Sequence, residues 1–168
     1  MINIVLYEPE IPQNTGNIMR TCVATDSKLH LIKPLGFSLE EKHLKRSGLD
    51  YVKDLKLEQY ENWIDFKEKN KGVFIYITRY GKKPHSDFDF SNIDEEIYLI
   101  FGKESTGIPK DILKENLEYC FRLPMVNDIR SLNLSNCVAV VTYEVLRQKS
   151  YLNLSKTETI KGEDWLIK

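Results

Sequence analysis

Near the middle of the chain, a predicted strand leads directly into a loop bounded by two glycines: Glu96-Ile97-Tyr98-Leu99-Ile100-Phe101, then Gly102-Lys103-Glu104-Ser105-Thr106-Gly107. The strand is apolar over its last five positions, which is typical of a strand covered on both faces. Pro109 follows at the first turn of a predicted helix, Ile108 to Leu113. A buried strand, a loop and a helix in this order indicate an α/β fold.

The same alternation recurs along the chain. Strands are predicted at Ile2–Tyr7, Lys28–Lys33, Val52–Leu57, Gly72–Thr78, Glu96–Phe101 and Tyr119–Leu123, and helices at Asn14–Asp26, Ser38–Arg46, Glu61–Lys69, Ile108–Leu113 and Leu134–Lys149. Because the strands are mostly apolar throughout, we expect a mainly parallel sheet with helices on both faces. Ligands in such folds bind beyond the carboxyl ends of the strands, so the loops after Thr78, Phe101 and Leu123 are the predicted site.

Composition favours a soluble protein inside the cell. The chain has 168 residues, 42% hydrophobic and 29% charged, which suits one globular domain over 1–168 with a C-terminal tail at 150–168. No apolar run is long enough for a membrane span, and no basic leader precedes the first strand. Cys22, Cys120 and Cys137 show no paired spacing, so we predict reduced thiols, a cytoplasmic location and no metal site.

The net charge of −1 argues against a protein that binds long RNA mainly through a high total positive charge. The charge is uneven, however, because residues 1–84 hold 14 basic and 11 acidic side chains. Lys42, Lys45, Arg46, Lys82 and Lys83 lie in this half. They are either a solvated face or a local patch for phosphate contact.

The longest predicted helix, Leu134–Lys149, is apolar on two sides. One stripe consists of Leu134, Val138, Val141 and Val145, and the other of Ala139, Val140, Tyr143 and Leu146. A helix of this kind is either central in a large core or shared with a partner. We interpret it as a homodimer interface; the alternative is that the tail after Lys149 folds over it.

Two familiar nucleotide motifs are excluded. The loop Gly102–Gly107 has the glycines of a P-loop, but Ile108-Pro109 stands where Lys and Ser or Thr are required, and no G-x-G-x-x-G occurs. Helix caps are a simple explanation for polar residues elsewhere: Asn14 or Thr15 for the first helix, and Ser131, Asn133 or Ser135 for the last. The residues alone therefore indicate an α/β enzyme or binding domain with a site built from three loops.

Taken together, three segments resemble the three motifs of the SPOUT superfamily of RNA methyltransferases. They are Asn14–Arg20, Leu99–Gly107, and Leu123 through Ser135 to Glu144. The stretches Tyr7–Asn17 and Leu44–Tyr51 are similar to those of the minimal members, the tRNA (cytidine/uridine-34-2′-O)-methyltransferases. The resemblance covers nearly the whole chain.

This resemblance implies a C-terminal trefoil knot and an S-adenosylmethionine pocket at the interface of a homodimer, formed by the C-terminal helix and the knot region. It implies that the pocket is lined by Thr78, Gly102, Leu123, Met125, Ser131 and Leu132. The implied catalytic group is Arg20 with Asn14, Glu104, Ser131 and Asn133, without a metal. An arginine rarely gives up its proton, so our hypothesis is that Arg20 stabilises charge on the 2′-oxygen and clamps the adjacent phosphate.

The function that the resemblance implies is S-adenosylmethionine-dependent 2′-O-methylation of the wobble nucleotide, cytidine or modified uridine 34, with the tRNA anticodon stem-loop as partner. One alternative is 2′-O-methylation of another tRNA position or of rRNA. Another is a nucleotide- or RNA-binding module without catalysis. The presence of Arg20, Glu104 and Asn133 argues against a module without catalysis.

Overall fold

The structure is a computed structural model that describes residues 1–39, 52–129 and 131–168. Its strands are β1 (Ile2–Tyr7), β2 (Lys28–Ile32), β3 (Leu57–Tyr60), β4 (Val73–Ile77), β5 (Lys83–Pro84), β6 (Ile97–Phe101) and β7 (Cys120–Arg122). Its helices are α1 (Pro12–Ala24), α2 (Trp63–Lys69), α3 (Lys110–Lys114) and α4 (Leu134–Gln148), with short 3₁₀ helices at Val52–Asp54, His85–Asp87, Leu117–Tyr119 and Glu163–Leu166. Most of the predicted helix Ser38–Arg46, and the segment Leu44–Tyr51, lie outside the described residues.

The described strands form one sheet in the order β3-β2-β1-β6-β4-β7-β5, and every neighbouring pair is parallel. The centre of the sheet is β1 beside β6, with Ile4 opposite Leu99. Parallel strands that are buried on both faces need helical crossovers. The predicted α/β fold with a parallel sheet is confirmed.

Each face of the sheet has its own apolar cluster, because successive side chains of a strand point to opposite faces. On one face, Ile4 packs in a cluster with Ile18 of α1 and Val138 of α4. On the other face, Val5 packs in a cluster with Phe66 of α2 and Leu113 of α3. The helices therefore cover both faces, as expected.

Two strands differ from the prediction by more than one residue at an end. The predicted strand Val52–Leu57 is wrong: Val52–Asp54 is a 3₁₀ helix, and β3 begins only at Leu57. Pairing with β2 decides this start, since Leu29 N–H donates to the Lys56 carbonyl and Leu57 lies opposite Leu29. The two-residue β5 was not predicted, because its only support is pairing with β7.

The first helix begins two residues earlier than predicted. Ile11 is its N-cap residue, its side chain makes no capping bond, and Pro12 opens the helix with a backbone angle already suited to it. The interpretation of Asn14 or Thr15 as the N-cap is therefore wrong. Asn14 lies in the first turn instead, and its side chain is available for contacts with another loop.

The two stripes of α4 differ only in part, because Leu146 of the second stripe is buried in the same core as the first stripe. Val138, Val141 and Val145 are buried in the core, whereas Val140 and Tyr143 are 45% and 47% exposed. The tail does pack against the same core through Tyr151 and Leu154. It leaves Val140 and Tyr143 exposed, so the dimer interface stays a prediction. No helix within the described ranges is both long and apolar enough to cross a membrane.

Candidate active site

A cleft of about 790 Å³ opens at the carboxyl ends of β4, β6 and β7. Its walls come from the loops that follow these strands and from the first turns of α1 and α4. These are the three loops predicted from the strand order. The cleft is lined by all six residues predicted for the cofactor: Thr78, Gly102, Leu123, Met125, Ser131 and Leu132.

The loop from Gly102 to Gly107 closes tightly on itself along one wall. Gly107 N–H donates to the Lys103 carbonyl at 2.8 Å, and the Gly107 backbone has a φ of +75°. A Cβ on Gly102 would lie 2.1 Å from the Gly107 carbonyl carbon. Glycine is required at both positions, at Gly107 for its left-handed backbone and at Gly102 for close backbone approach.

An ion pair and a pair of hydrogen bonds help to hold this loop against the β1–α1 connection. Lys103 Nζ forms an ion pair with Glu8 at 2.7 Å, and Glu10 accepts hydrogen bonds from the Ser105 hydroxyl and backbone N–H, each at 2.8 Å. The Ser105 hydroxyl, then its N–H, lowers the pKa of Glu10. Sequence reasoning missed these positioning residues, because their partners lie 95 positions away in the chain and no local pattern indicates them.

The carboxylate of Glu104 is the centre of a hydrogen-bond network at the cleft. Its Oε1 accepts from Asn14 Nδ2 at 3.0 Å and from Ile11 N–H at 3.2 Å, and its Oε2 accepts from Glu10 N–H at 2.9 Å. Glu104 thus satisfies backbone donors at the start of α1, where the positive end of the helix dipole also favours a negative group.

Asn133 joins the same network from the third loop. Its Nδ2 donates to Asn14 Oδ1 at 2.9 Å, while its Oδ1 accepts from Ser135 N–H at 2.9 Å and from the Ser135 hydroxyl at 2.6 Å. Asn133 is therefore the N-cap of α4, one of three residues proposed for that role. The Asn133 amide group therefore caps α4 and also links α4 to α1 by a hydrogen bond.

Two residues of the predicted catalytic group lie outside this network. Ser131 is exposed on the cleft wall, two residues before the cap. Arg20 is exposed on α1, and the described cleft walls do not include it. The structure thus brings together Asn14, Glu104 and Asn133, places Ser131 at the same cleft, and leaves Arg20 further along α1.

A parallel α/β sheet with a cleft at the carboxyl ends of its strands defines the class of α/β proteins that bind ligands at this edge of the sheet. The particular family follows from comparison with known proteins. The chain belongs to the SpoU rRNA Methylase family, whose model matches residues 1–143. The resemblance to RNA methyltransferases found in the sequence is confirmed.

Individual relatives agree with this membership. The tRNA (cytidine(34)-2′-O)-methyltransferase of Escherichia coli (strain K12) is 45% identical over 153 residues, covering 90% of this chain and 96% of that protein. A Bacillus anthracis crystal structure is 49% identical with a TM-score of 0.89, covering 92% of this chain and 98% of that chain. A structure described as giving insight into 2-OH methylation of C/U34 on tRNA is 38% identical with a TM-score of 0.81, covering 90% and 97%.

Proposed function

We propose that this chain transfers a methyl group from S-adenosylmethionine to the ribose 2′-oxygen of the tRNA wobble nucleotide, cytidine or modified uridine 34. The observation that carries the proposal is the network of Asn14, Glu104 and Asn133, which joins all three motif segments at one cleft. The name of the Escherichia coli relative supports this choice of substrate.

The cleft suits a nucleoside-sized methyl donor. Its volume lies in the range of small-molecule sites, and its walls combine apolar side chains such as Leu123 and Leu132 with the exposed backbone of the Gly102 loop. We assign donor binding to Thr78, Gly102, Leu123, Met125, Ser131 and Leu132. When bound, the donor supplies a methyl group from a positively charged sulfur, which departs as a neutral thioether. No metal is needed to stabilise that leaving group.

On the acceptor side, Arg20 supplies positive charge. As the O–CH₃ bond forms and the S–CH₃ bond breaks, the 2′-hydroxyl loses its proton to solvent. A guanidinium rarely gives up its own proton and is a poor base, so Arg20 stabilises negative charge developing on the 2′-oxygen and clamps the neighbouring phosphate. Asn14, Glu104, Ser131 and Asn133 hold the ribose in line with the donor, because alignment supplies much of the rate in a transfer of this kind. RNA bound across α1 would bring its ribose between Arg20 and the cleft.

The assembly follows from the exposed face of α4. Val140 and Tyr143 are half-exposed apolar residues three positions apart on a helix whose other side fills the core. We propose that two copies associate through this helix and a knotted C-terminal region, that 1–168 acts as one domain with 150–168 as its tail, and that the dimer binds the tRNA anticodon stem-loop.

The test uses tRNA from cells that lack the gene, digested and analysed by mass spectrometry. Loss of 2′-O-methylation at nucleotide 34 is expected, with recovery when the gene is restored. Loss of methylation at another tRNA position or in rRNA would identify that position as the substrate in place of nucleotide 34. No loss of methylation would favour a binding module without catalysis. In vitro, an anticodon stem-loop with 2′-deoxycytidine at position 34 is the matched control, since it lacks the acceptor oxygen.

A further inference from the structure

A second cavity, of about 490 Å³, lies beside the cleft beyond the end of β7. It is lined by Arg79, Arg122 and the loop from Met125 to Ile129. Arg79 and Met125 also line the cleft, so the two cavities adjoin. Apart from Met125, none of the residues assigned to the donor or the ribose lines this cavity.

Strand pairing determines where Arg122 lies. It is the last residue of β7, paired with Pro84 of β5 on one side, and Thr78 N–H donates to the Phe121 carbonyl on the other. Phe121 and Leu123 pack in the core cluster of one face, so Arg122 between them points to the other face. Its Nε is buried and makes no hydrogen bond with any described residue.

The cavity has an unbalanced charge. Among the described residues, two arginines line it, and neither forms an ion pair with another described residue; the Arg79 guanidinium lies 5.8 Å from the Tyr80 ring centroid. Asp128 lines the cavity too and is paired with neither arginine. A buried guanidinium donor without an acceptor is unfavourable, and two cations facing one space add to this cost. An oxyanion is the chemical group that such donors bind best.

We propose that Arg79 and Arg122 form a subsite for an RNA backbone phosphate next to the ribose that enters the cleft. This proposal rests on the proposed function. The forked donors of arginine match the geometry of phosphate oxygens. Lys82 and Lys83 are exposed close by in the chain. Tyr80, 74% exposed at the cleft, favours RNA, because single strands bind by stacking bases on aromatic rings beside cationic grooves.

The carboxylate of the methyl donor is the other oxyanion that this cavity could take. Two binding measurements on the 168-residue chain distinguish an RNA phosphate from the donor carboxylate. The first is fluorescence anisotropy with a labelled anticodon stem-loop over a series of salt concentrations. The second is calorimetry with S-adenosylhomocysteine. The variants are Arg122→Gln and Arg79→Gln. The matched control is Lys71→Gln, an exposed cation just before β4 and therefore at the amino edge of the sheet, away from the cleft.

Each arginine variant is expected to weaken RNA binding about tenfold, as for loss of one charge-assisted hydrogen bond, and to reduce the salt slope by about one. S-adenosylhomocysteine affinity and the Lys71→Gln variant should match the wild type. Unchanged RNA affinity in the arginine variants, or weaker binding of S-adenosylhomocysteine alone, overturns the proposal. If Arg122→Gln does not fold, the exposed Arg79→Gln decides.

These binding outcomes are separate from those for the proposed function. If the wild type methylates nucleotide 34 while both arginine variants bind RNA normally, the subsite is wrong and the function stands. If RNA binding depends on the arginines but nucleotide 34 is not methylated, the function is wrong and the subsite stands.

Discussion

Asn133 and Asn14 are hydrogen-bonded to each other, Nδ2 to Oδ1 at 2.9 Å, although 119 positions separate them in the chain. The amide of Asn14 then donates to Glu104 at 3.0 Å. Each amide therefore has a defined orientation: Asn133 donates to Asn14, and Asn14 donates to Glu104. A substitution at one of these three positions therefore alters the hydrogen bonds of the others.

Two substitutions at Asn133 separate its roles. Asn133→Ala removes both the helix cap and the donor to Asn14, and should cost about 1 kcal/mol of unfolding free energy. Asn133→Asp keeps an oxygen to cap α4 but replaces the donor by a second acceptor. In urea unfolding, we expect a higher free energy of unfolding for Asn133→Asp than for Asn133→Ala. Methylation activity should be strongly reduced in both variants. Full activity in Asn133→Asp would show that the bond to Asn14 is dispensable.

Glu104→Gln tests the need for a carboxylate at the network centre. Glu104 accepts three donors, from Asn14 and the backbone of Glu10 and Ile11, and a glutamine amide would set its own NH₂ group against at least one of them. The variant should lose about 1–2 kcal/mol in urea unfolding and lose methylation activity. Glu118→Gln, an exposed carboxylate on a short 3₁₀ helix, is the control and should change neither. Wild-type stability in Glu104→Gln would contradict this account.

The sequence predicts the parts of this molecule that depend on local pattern. Apolar runs located most strands, and the rule that ligands bind at the carboxyl ends located the cleft. Positions that depend on distant partners were missed: β3 starts where β2 offers pairing, and the start of α1 is supported by Glu104, more than ninety positions away. The link from Asn133 to Asn14 is of the same kind, because no local pattern encodes which amide a loop will meet.

Arg20→Lys tests the electrostatic role proposed for Arg20. Lysine keeps the positive charge but loses the two-pronged contact with phosphate, so the rate of methyl transfer should fall about 100-fold. The rate should follow the same pH dependence as the wild type. Because Arg20 is exposed, unfolding free energy should stay within about 0.5 kcal/mol of the wild type. Near-full activity that rises with pH would instead indicate a base at this position.

Tyr143→Glu tests the dimer through α4. A charge on the exposed apolar face should disfavour association without disturbing the core, so sedimentation should show the mass of one chain instead of two. Tyr119→Glu is the matched control, because Tyr119 is similarly exposed at 44%, against 47% for Tyr143, but lies outside α4. A wild type that sediments as a monomer, or loss of the dimer in both variants, would rule out this interface.

Away from the cleft, the buried side chain of His30 lies in a polar network that extends to the half-exposed carboxylates of Glu58 and Glu96. Its Nε2 is 2.9 Å from Asn3 Oδ1 and its Nδ1 is 2.8 Å from the Tyr60 hydroxyl. Tyr60 in turn donates to Glu58, and Asn3 donates to Glu96 at 2.6 Å. Burial, with a contribution from the charge of Lys28, lowers the pKa of His30 to about 4.

This pKa predicts a loss of stability on mild acidification. Above pH 6.5 His30 is neutral in both states and contributes no pH dependence; below it, the unfolded chain binds a proton that the folded protein excludes until about pH 4. The free energy of unfolding should fall by up to about 1.4 kcal/mol per pH unit within that window. Urea unfolding at pH 7 and pH 5 measures the fall. His30→Gln should flatten the slope, although the variant is less stable overall. Parallel pH curves for the wild type and His30→Gln would exclude His30 as the source.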